Sequence, residues 1–188
     1  MIRCPWAISE ISTNYHDMEW GVPVHADQKL FEFLILESAQ AGLNWETILK
    51  KRAAYQDAFA KFEPARIAQF DANQVEKLLN NPGIIRNRRK IESAIQNAAV
   101  FIKIQEEFNS FNQYVWGFVN GKPIQNNFHH FSEVPAETEL SRRLSKDLKQ
   151  RGMSFVGPTI MYAFMQAIGM VNDHLVECYR FNEVKQME

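Results

Sequence analysis

The segment that most limits what this chain can become lies between Asp27 and Ala39. Leu30, Phe31, Phe33, Leu34, Ile35 and Leu36 fall almost all the way round a helix rather than along one stripe. Such a helix must be covered on nearly every face, so the rest of the chain is expected to wrap around it. Asp27 reads as its N-cap and Gly42 as its stop. Near the end of the run stands Glu37, with Phe33 and Leu34 one turn earlier. An unpaired carboxylate is costly to bury, so Glu37 needs a specific partner. The plain explanation is a cap or a buried ion pair. The functional one is recognition of a polar or cationic ligand in an aromatic pocket. Trp45 and Tyr15 are candidate walls, although spacing alone does not bring them together.

Helical period continues along most of the chain. It predicts a helix from Trp45 to Lys61, short helices after Pro64 and Ala72, and a turn at Asn80-Asn81-Pro82-Gly83. A long helix carries Ile91, Ile95, Val100 and Ile104; further helices are expected over Glu137–Arg151 and Pro158–Met170, with a last one starting near Val171. Residues 120–136 break this pattern and are expected to be irregular. Strand signals are nearly absent, so the expected class is all-α. The expected organisation is a single unit over 1–188 with its terminal segments packed together, a helical bundle over 72–170 and a hairpin near 152–159.

Three further groups of residues could carry chemistry. Gly152-Met153-Ser154-Phe155-Val156-Gly157-Pro158-Thr159 places Gly157 before a proline at a helix start, where free backbone N–H groups and the Thr159 hydroxyl can cradle a phosphate. Arg142, Arg143, Lys146, Lys149 and Arg151 precede it and add positive charge; a solvated face is the plain alternative. Cys4, His16, His174 and Cys178 make up a Cys₂His₂ set, with His174 and Cys178 expected one turn apart on the last helix. That set is either a structural zinc site or two buried thiols with two ordinary histidines. His25, His129 and His130 read as exposed loop residues. The run Arg86-Asn87-Arg88-Arg89-Lys90 reads as a solvated helix start.

Bulk composition narrows the function. The formal net charge is −1, so contact with nucleic acid would rest on a local basic patch rather than on overall charge. No apolar run is long enough for a membrane span or a signal peptide, which predicts a cytoplasmic protein with no membrane partner. Aromatic residues make up 12% of the chain, including 14 Phe and 4 Trp, enough to line a stacking pocket as well as a core.

Several of these segments, in order, carry a resemblance. Arg3-Cys4-Pro5-Trp6, Tyr15-His16-Asp17-Met18-Glu19-Trp20-Gly21-Val22-Pro23, Leu36-Glu37-Ser38-Ala39-Gln40-Ala41-Gly42-Leu43-Asn44-Trp45, Gly83-Ile84-Ile85-Arg86-Asn87-Arg88, Phe155-Val156-Gly157-Pro158-Thr159 and Val171-Asn172-Asp173-His174 are similar to the DNA-3-methyladenine glycosylase I family. The resemblance spans essentially the whole chain and implies a helix-hairpin-helix DNA glycosylase fold. It implies excision of 3-methyladenine from double-stranded DNA containing alkylated adenine, by a monomer that leaves an abasic site. Glu37, Tyr15 and Trp45 would carry the reaction, with Trp6 completing the base pocket. Gly42 and Leu43 would wedge into the duplex, while Lys149, Arg151, Gly157 and Thr159 would hold DNA. Cys4, His16, His174 and Cys178 would ligate one structural zinc joining the terminal segments.

The chain departs from the pattern at Ser12, where the family often has tyrosine, and at Ser38, where glycine is common. Asn172 stands where related glycosylases use an aspartate, a lack the family shares; Asp173 is adjacent but not expected to replace it. That leaves a non-catalytic binder of damaged DNA as an alternative. A zinc hydrolase using Asp17 or Glu177 is disfavoured, because four protein ligands leave no open position for water.

Overall fold

The computed structural model describes residues 1–187. Ten α-helices account for most of them: α1 (Glu10–Met18), α2 (Asp27–Gln40), α3 (Trp45–Ala58), α4 (Pro64–Ile67), α5 (Ala72–Leu79), α6 (Arg88–Phe108), α7 (Phe111–Gly117), α8 (Glu139–Gln150), α9 (Pro158–Ala167) and α10 (Tyr179–Lys185). α2 is central, as its composition requires. Every residue from Phe33 to Ala39 is buried, and α3, α6, α7 and α9 all pack against the helix. No described helix is long and apolar enough to cross a membrane.

The N-terminus of α2 is built differently from expectation. Ala26 is the N-cap and offers no side-chain bond. Asp27 turns outward to another helix: its carboxylate accepts from the backbone N–H groups of Phe111 and Asn112 at 2.9 and 2.8 Å, and from Gln105 at 2.7 Å. It therefore caps α7, a helix that periodicity had not resolved. The negative charge there also complements the positive end of the α7 dipole.

The chain after α9 is the second correction. α9 stops at Ala167 rather than Met170, because Gly169 lies at φ +74° and the residues at 21–23 cross directly over it. A Cβ on Gly169 would sit 2.5 Å from the Pro23 nitrogen and from the Val22 carbonyl carbon, so only glycine fits. No helix begins near Val171. Instead β2 (Val171–Asn172) pairs in parallel with β1 (Ile124–Gln125), the one ordered patch in a segment that is otherwise irregular apart from a single 3₁₀ turn at Phe131–Glu133. α10 begins at Tyr179 with Cys178 as its N-cap. His174 and Cys178 thus do not share a helix face; an irregular stretch presents both.

Candidate active site

A cavity of about 460 Å³ opens between the N-terminal segment, the end of α2 and α9. Glu37 and Gln40 line it from α2, Tyr15 from α1 and Trp45 from the start of α3; Trp6 and Trp20 complete the aromatic wall. The structure thus brings together all four residues expected to form the pocket. Tyr15 and Trp45 have ring centroids 5.4 Å apart and inclined at 55°, and Trp6 lies 6.3 Å from Tyr15. Glu37 is 4% exposed, and its Oε2 has no hydrogen-bond partner; the Trp45 Nε1 is likewise buried without one. Burial pushes the Glu37 carboxyl up to about 8. The Tyr15 hydroxyl is raised well above its ordinary value, first by burial and then by proximity to Glu37. A cavity with flat aromatic faces and an unpaired acceptor is built for a planar ligand that presents a donor.

Cys4, His16, His174 and Cys178 are all buried, with one donor atom from each lying within 4.8 Å of the others. Sulfur–nitrogen separations are 3.7 Å for Cys4–His174, 3.4 Å for Cys178–His16 and 3.6 Å for Cys178–His174. A tetrahedral zinc with ordinary Zn–S and Zn–N bonds puts its S and N ligands about 3.6 Å apart, so the donor set fits that ion. The distal ring nitrogens are also engaged. His16 Nδ1 meets Asp17 at 2.8 Å, and His174 Nε2 meets the Trp20 carbonyl at 3.0 Å. Those contacts leave His16 Nε2 and His174 Nδ1 as the ring nitrogens that could hold a metal ion. Asp17 is itself gripped by Arg3, which holds its carboxyl well below the usual carboxylate range.

The hairpin between α8 and α9 lies beside this cavity. Gly157 is the N-cap of α9, Pro158 its first residue, and Thr159 is exposed while also lining the cavity. Lys149 is exposed, as are Arg142, Arg143 and Lys146 on α8. Arg151 is more constrained: it pairs with Glu107 at 2.6 Å and Asp147 at 2.7 Å, and lies over the rings of Phe108 and Tyr114. Gly42 and Leu43 form the turn between α2 and α3, with Gly42 at φ +75° and Leu43 41% exposed. Gln40 and Trp45, on either side of that turn, both line the cavity, so the turn stands on its rim. His25, His129 and His130 are exposed, as expected.

The methyladenine glycosylase profile matches residues 6–181. The chain belongs to this family. A DNA-3-methyladenine glycosylase from Haemophilus influenzae is 46% identical over 177 residues, covering 94% of this chain and 96% of the relative. DNA-3-methyladenine glycosylase 1 of Escherichia coli K12 is 46% identical over 179 residues, with 95% and 96% covered. A variant of 3-methyladenine DNA glycosylase I solved in complex with 3-methyladenine superposes with a TM-score of 0.92 at 38% identity, covering 95% of this chain and 97% of that one.

Against the methyladenine glycosylase pattern, the departures acquire local reasons. Ser12 forms a reciprocal capping box with Ser9 at the start of α1 and does not line the cavity. The Ser38 hydroxyl meets the Leu34 carbonyl at 2.7 Å and the Phe155 carbonyl at 3.0 Å, tying α2 to the hairpin. Buried Asn97 holds the same hairpin by pairing both ways with the Ser154 backbone, at 2.9 and 3.0 Å. Asn172 is fully buried away from the cavity, bonded to Gln125 and to the Phe181 carbonyl. Its neighbour Asp173 does line the cavity, accepting from Tyr162, Gln166 and Asn126 at 2.5, 2.7 and 2.8 Å. Sequence reasoning set Asp173 aside as adjacent to Asn172 but not its replacement, and gave it no place in the pocket. The available signal was the i, i+4 pair Tyr162 and Gln166, polar on an otherwise apolar helix.

Proposed function

We propose that this chain hydrolyses the N-glycosidic bond of 3-methyladenine in alkylated double-stranded DNA and leaves an abasic site. The observation that carries the reading is the unpaired Oε2 of buried Glu37 inside an aromatic cavity. Membership of a family whose characterised relatives bear this activity in their names supports it.

Alkylation at N3 leaves the adenine cationic and weakens its bond to the sugar. Extruded into the cavity, the base meets Trp45, Tyr15 and Trp6, whose ring faces favour a cation over neutral adenine. Glu37 accepts from the exocyclic amine, and in its ionised form also balances the positive charge. As the bond from N9 to the sugar carbon breaks, its electron pair leaves with the base, which becomes neutral. Protonation of the leaving group is therefore unnecessary. Water adds to the sugar carbon and loses a proton. Glu37, Tyr15 and Trp45 thus act by recognition and placement rather than by proton transfer.

On the DNA side, Gly42 and Leu43 enter the duplex from the cavity rim. The backbone at Gly157 and the Thr159 hydroxyl hold a phosphate, with Lys149 adding a charge. Arg151, committed to Glu107 and Asp147, stiffens the end of α8 rather than offering a free charge to DNA. Zinc is the metal we assign to Cys4, His16, His174 and Cys178; four protein ligands give it a cross-linking role with no open position for chemistry. The protein works as a monomer in which residues 1–188 act as one unit.

The test is chromatography of bases released from methylated DNA. The parent protein is expected to release 3-methyladenine, and absence of release at any enzyme concentration sinks the reading. Glu37→Gln should release it at least about tenfold more slowly while remaining folded. One observation favours a second reading. With Asn172 turned away from the cavity, a protein that only binds lesions would grip an abasic analogue tightly and release no base.

A further inference from the structure

The basic run opening α6 is mostly what its sequence promised: Arg86, Arg88 and Arg89 are exposed. Lys90 is different. It is half-buried, and its Nζ donates to the carbonyls of Ala39 and Ala41 at 2.8 and 2.6 Å. Those carbonyls belong to the end of α2, which has no basic residue of its own in its last turn. Helix ends leave carbonyls unpaired, and a cation there also opposes the negative end of the dipole. Lys90 supplies both from a different helix. Its own backbone is fixed, because the Asn87 side chain caps α6 by accepting from the Lys90 N–H at 3.2 Å.

The carbonyls that Lys90 holds lie directly before Gly42 and Leu43. Ala41 leaves the helix at φ −41°, ψ 115°, and Gly42 reverses to φ +75°. A Cβ on Gly42 would meet nothing within 4 Å, so packing around the tip does little to hold its attitude. Ala41 N–H bonds to the Ser38 carbonyl at 3.4 Å and Leu43 N–H to the Gln40 carbonyl at 2.6 Å, both within this stretch of chain, and Lys90 anchors it from another helix. We propose that Lys90 is a positioning residue for base extrusion: it holds the Gly42–Leu43 tip at the angle needed to enter the duplex, without touching base or phosphate. This rests on the reading of that tip as the element entering DNA.

The experiment compares Lys90→Met, Lys90→Arg and Leu43→Ala in the full chain. Single-turnover release of 3-methyladenine from methylated duplex DNA is measured alongside affinity for free 3-methyladenine, melting temperature and the salt dependence of DNA binding. Lys90→Met is expected to slow release roughly tenfold with free-base affinity and salt dependence unchanged, and Lys90→Arg, which can reach two carbonyls, to restore most of it. Parental release by Lys90→Met while Leu43→Ala is impaired would overturn the role of Lys90 alone. Parental release by Leu43→Ala would overturn the reading of the tip and the proposal with it. A salt dependence shallower by about one phosphate contact would make Lys90 a DNA ligand and also overturn the proposal. A fall in free-base affinity matching the fall in release would do the same, by placing the damage in the pocket.

Discussion

Among single residues, Glu37 has the most measurable electrostatic consequence. Its carboxyl titrates near 8 in the folded protein because it is desolvated, against roughly 4.3 for a free glutamate. Between those values the native state keeps a proton that the unfolded chain has lost. Its contribution to stability is therefore complete below the lower value and disappears as the pH rises through 8. Stability is expected to decline over that window by up to about 1.4 kcal/mol per pH unit from this group. Denaturant titrations across that range should show Glu37→Gln flattening the decline and melting above the parent at pH 8. Activity should run the other way: the carboxylate is the form that answers a cationic base, so kcat/KM on methylated DNA should climb toward pH 8. A parental profile as flat as that of Glu37→Gln would remove the carboxylate from recognition. The cost of burying Glu37 was legible in the sequence from its apolar neighbours. Its placement beside Tyr15 and Trp45 was not, since three different helices contribute those side chains. The place of Asp173 in the cavity was hidden for a related reason: its donors Tyr162, Gln166 and Asn126 converge only in the fold.

The elements tell a similar story about what local sequence can carry. Helices with strong apolar period were legible to within a few residues at their ends. The errors fall where a distant segment decides the local backbone. α9 ends early because the chain at 21–23 presses on Gly169, and Asp27 leaves its own helix uncapped to serve α7. Gly169→Ala must therefore both strain a positive φ and displace backbone 2.5 Å away. The φ penalty alone is about 1–3 kcal/mol, which equilibrium unfolding should detect; a variant of parental stability would mean that the crossing yields easily. Ser38 joins two elements that both serve the site. Ser38→Ala removes its bond to the Phe155 carbonyl, at a net cost of about 1 kcal/mol. The predicted signature is weaker DNA binding with unchanged affinity for free 3-methyladenine, because the loosened part is the hairpin and not the pocket. Equal losses in both assays would instead locate the effect in α2.

For the whole molecule, the two ends of the chain meet at the Cys4, His16, His174 and Cys178 cluster. This region has its own small apolar group of Cys4, Leu175 and Cys178, separate from the main core around α2. Cys4 and Leu175 also line the base cavity, and Trp6 and Trp20 pack against both apolar groups. A metal held by this cluster would close nearly the entire chain into one loop. By the loop-entropy scale for cross-links, that restricts the unfolded state by about 4–5 kcal/mol. Stripping the metal with a strong chelator, or replacing Cys178 with Ser, should then lower the melting temperature by roughly 10–15 °C. Affinity for free 3-methyladenine should fall with it, because the Trp6 wall loses its anchor while Glu37 and Trp45 keep theirs in the main core. Elemental analysis should find one zinc per parental chain and less in Cys178→Ser. If the stripped protein melts at the parental temperature, packing alone joins the terminal segments. The buried thiols and imidazoles would then need another explanation for a geometry that matches tetrahedral S₂N₂ ligation.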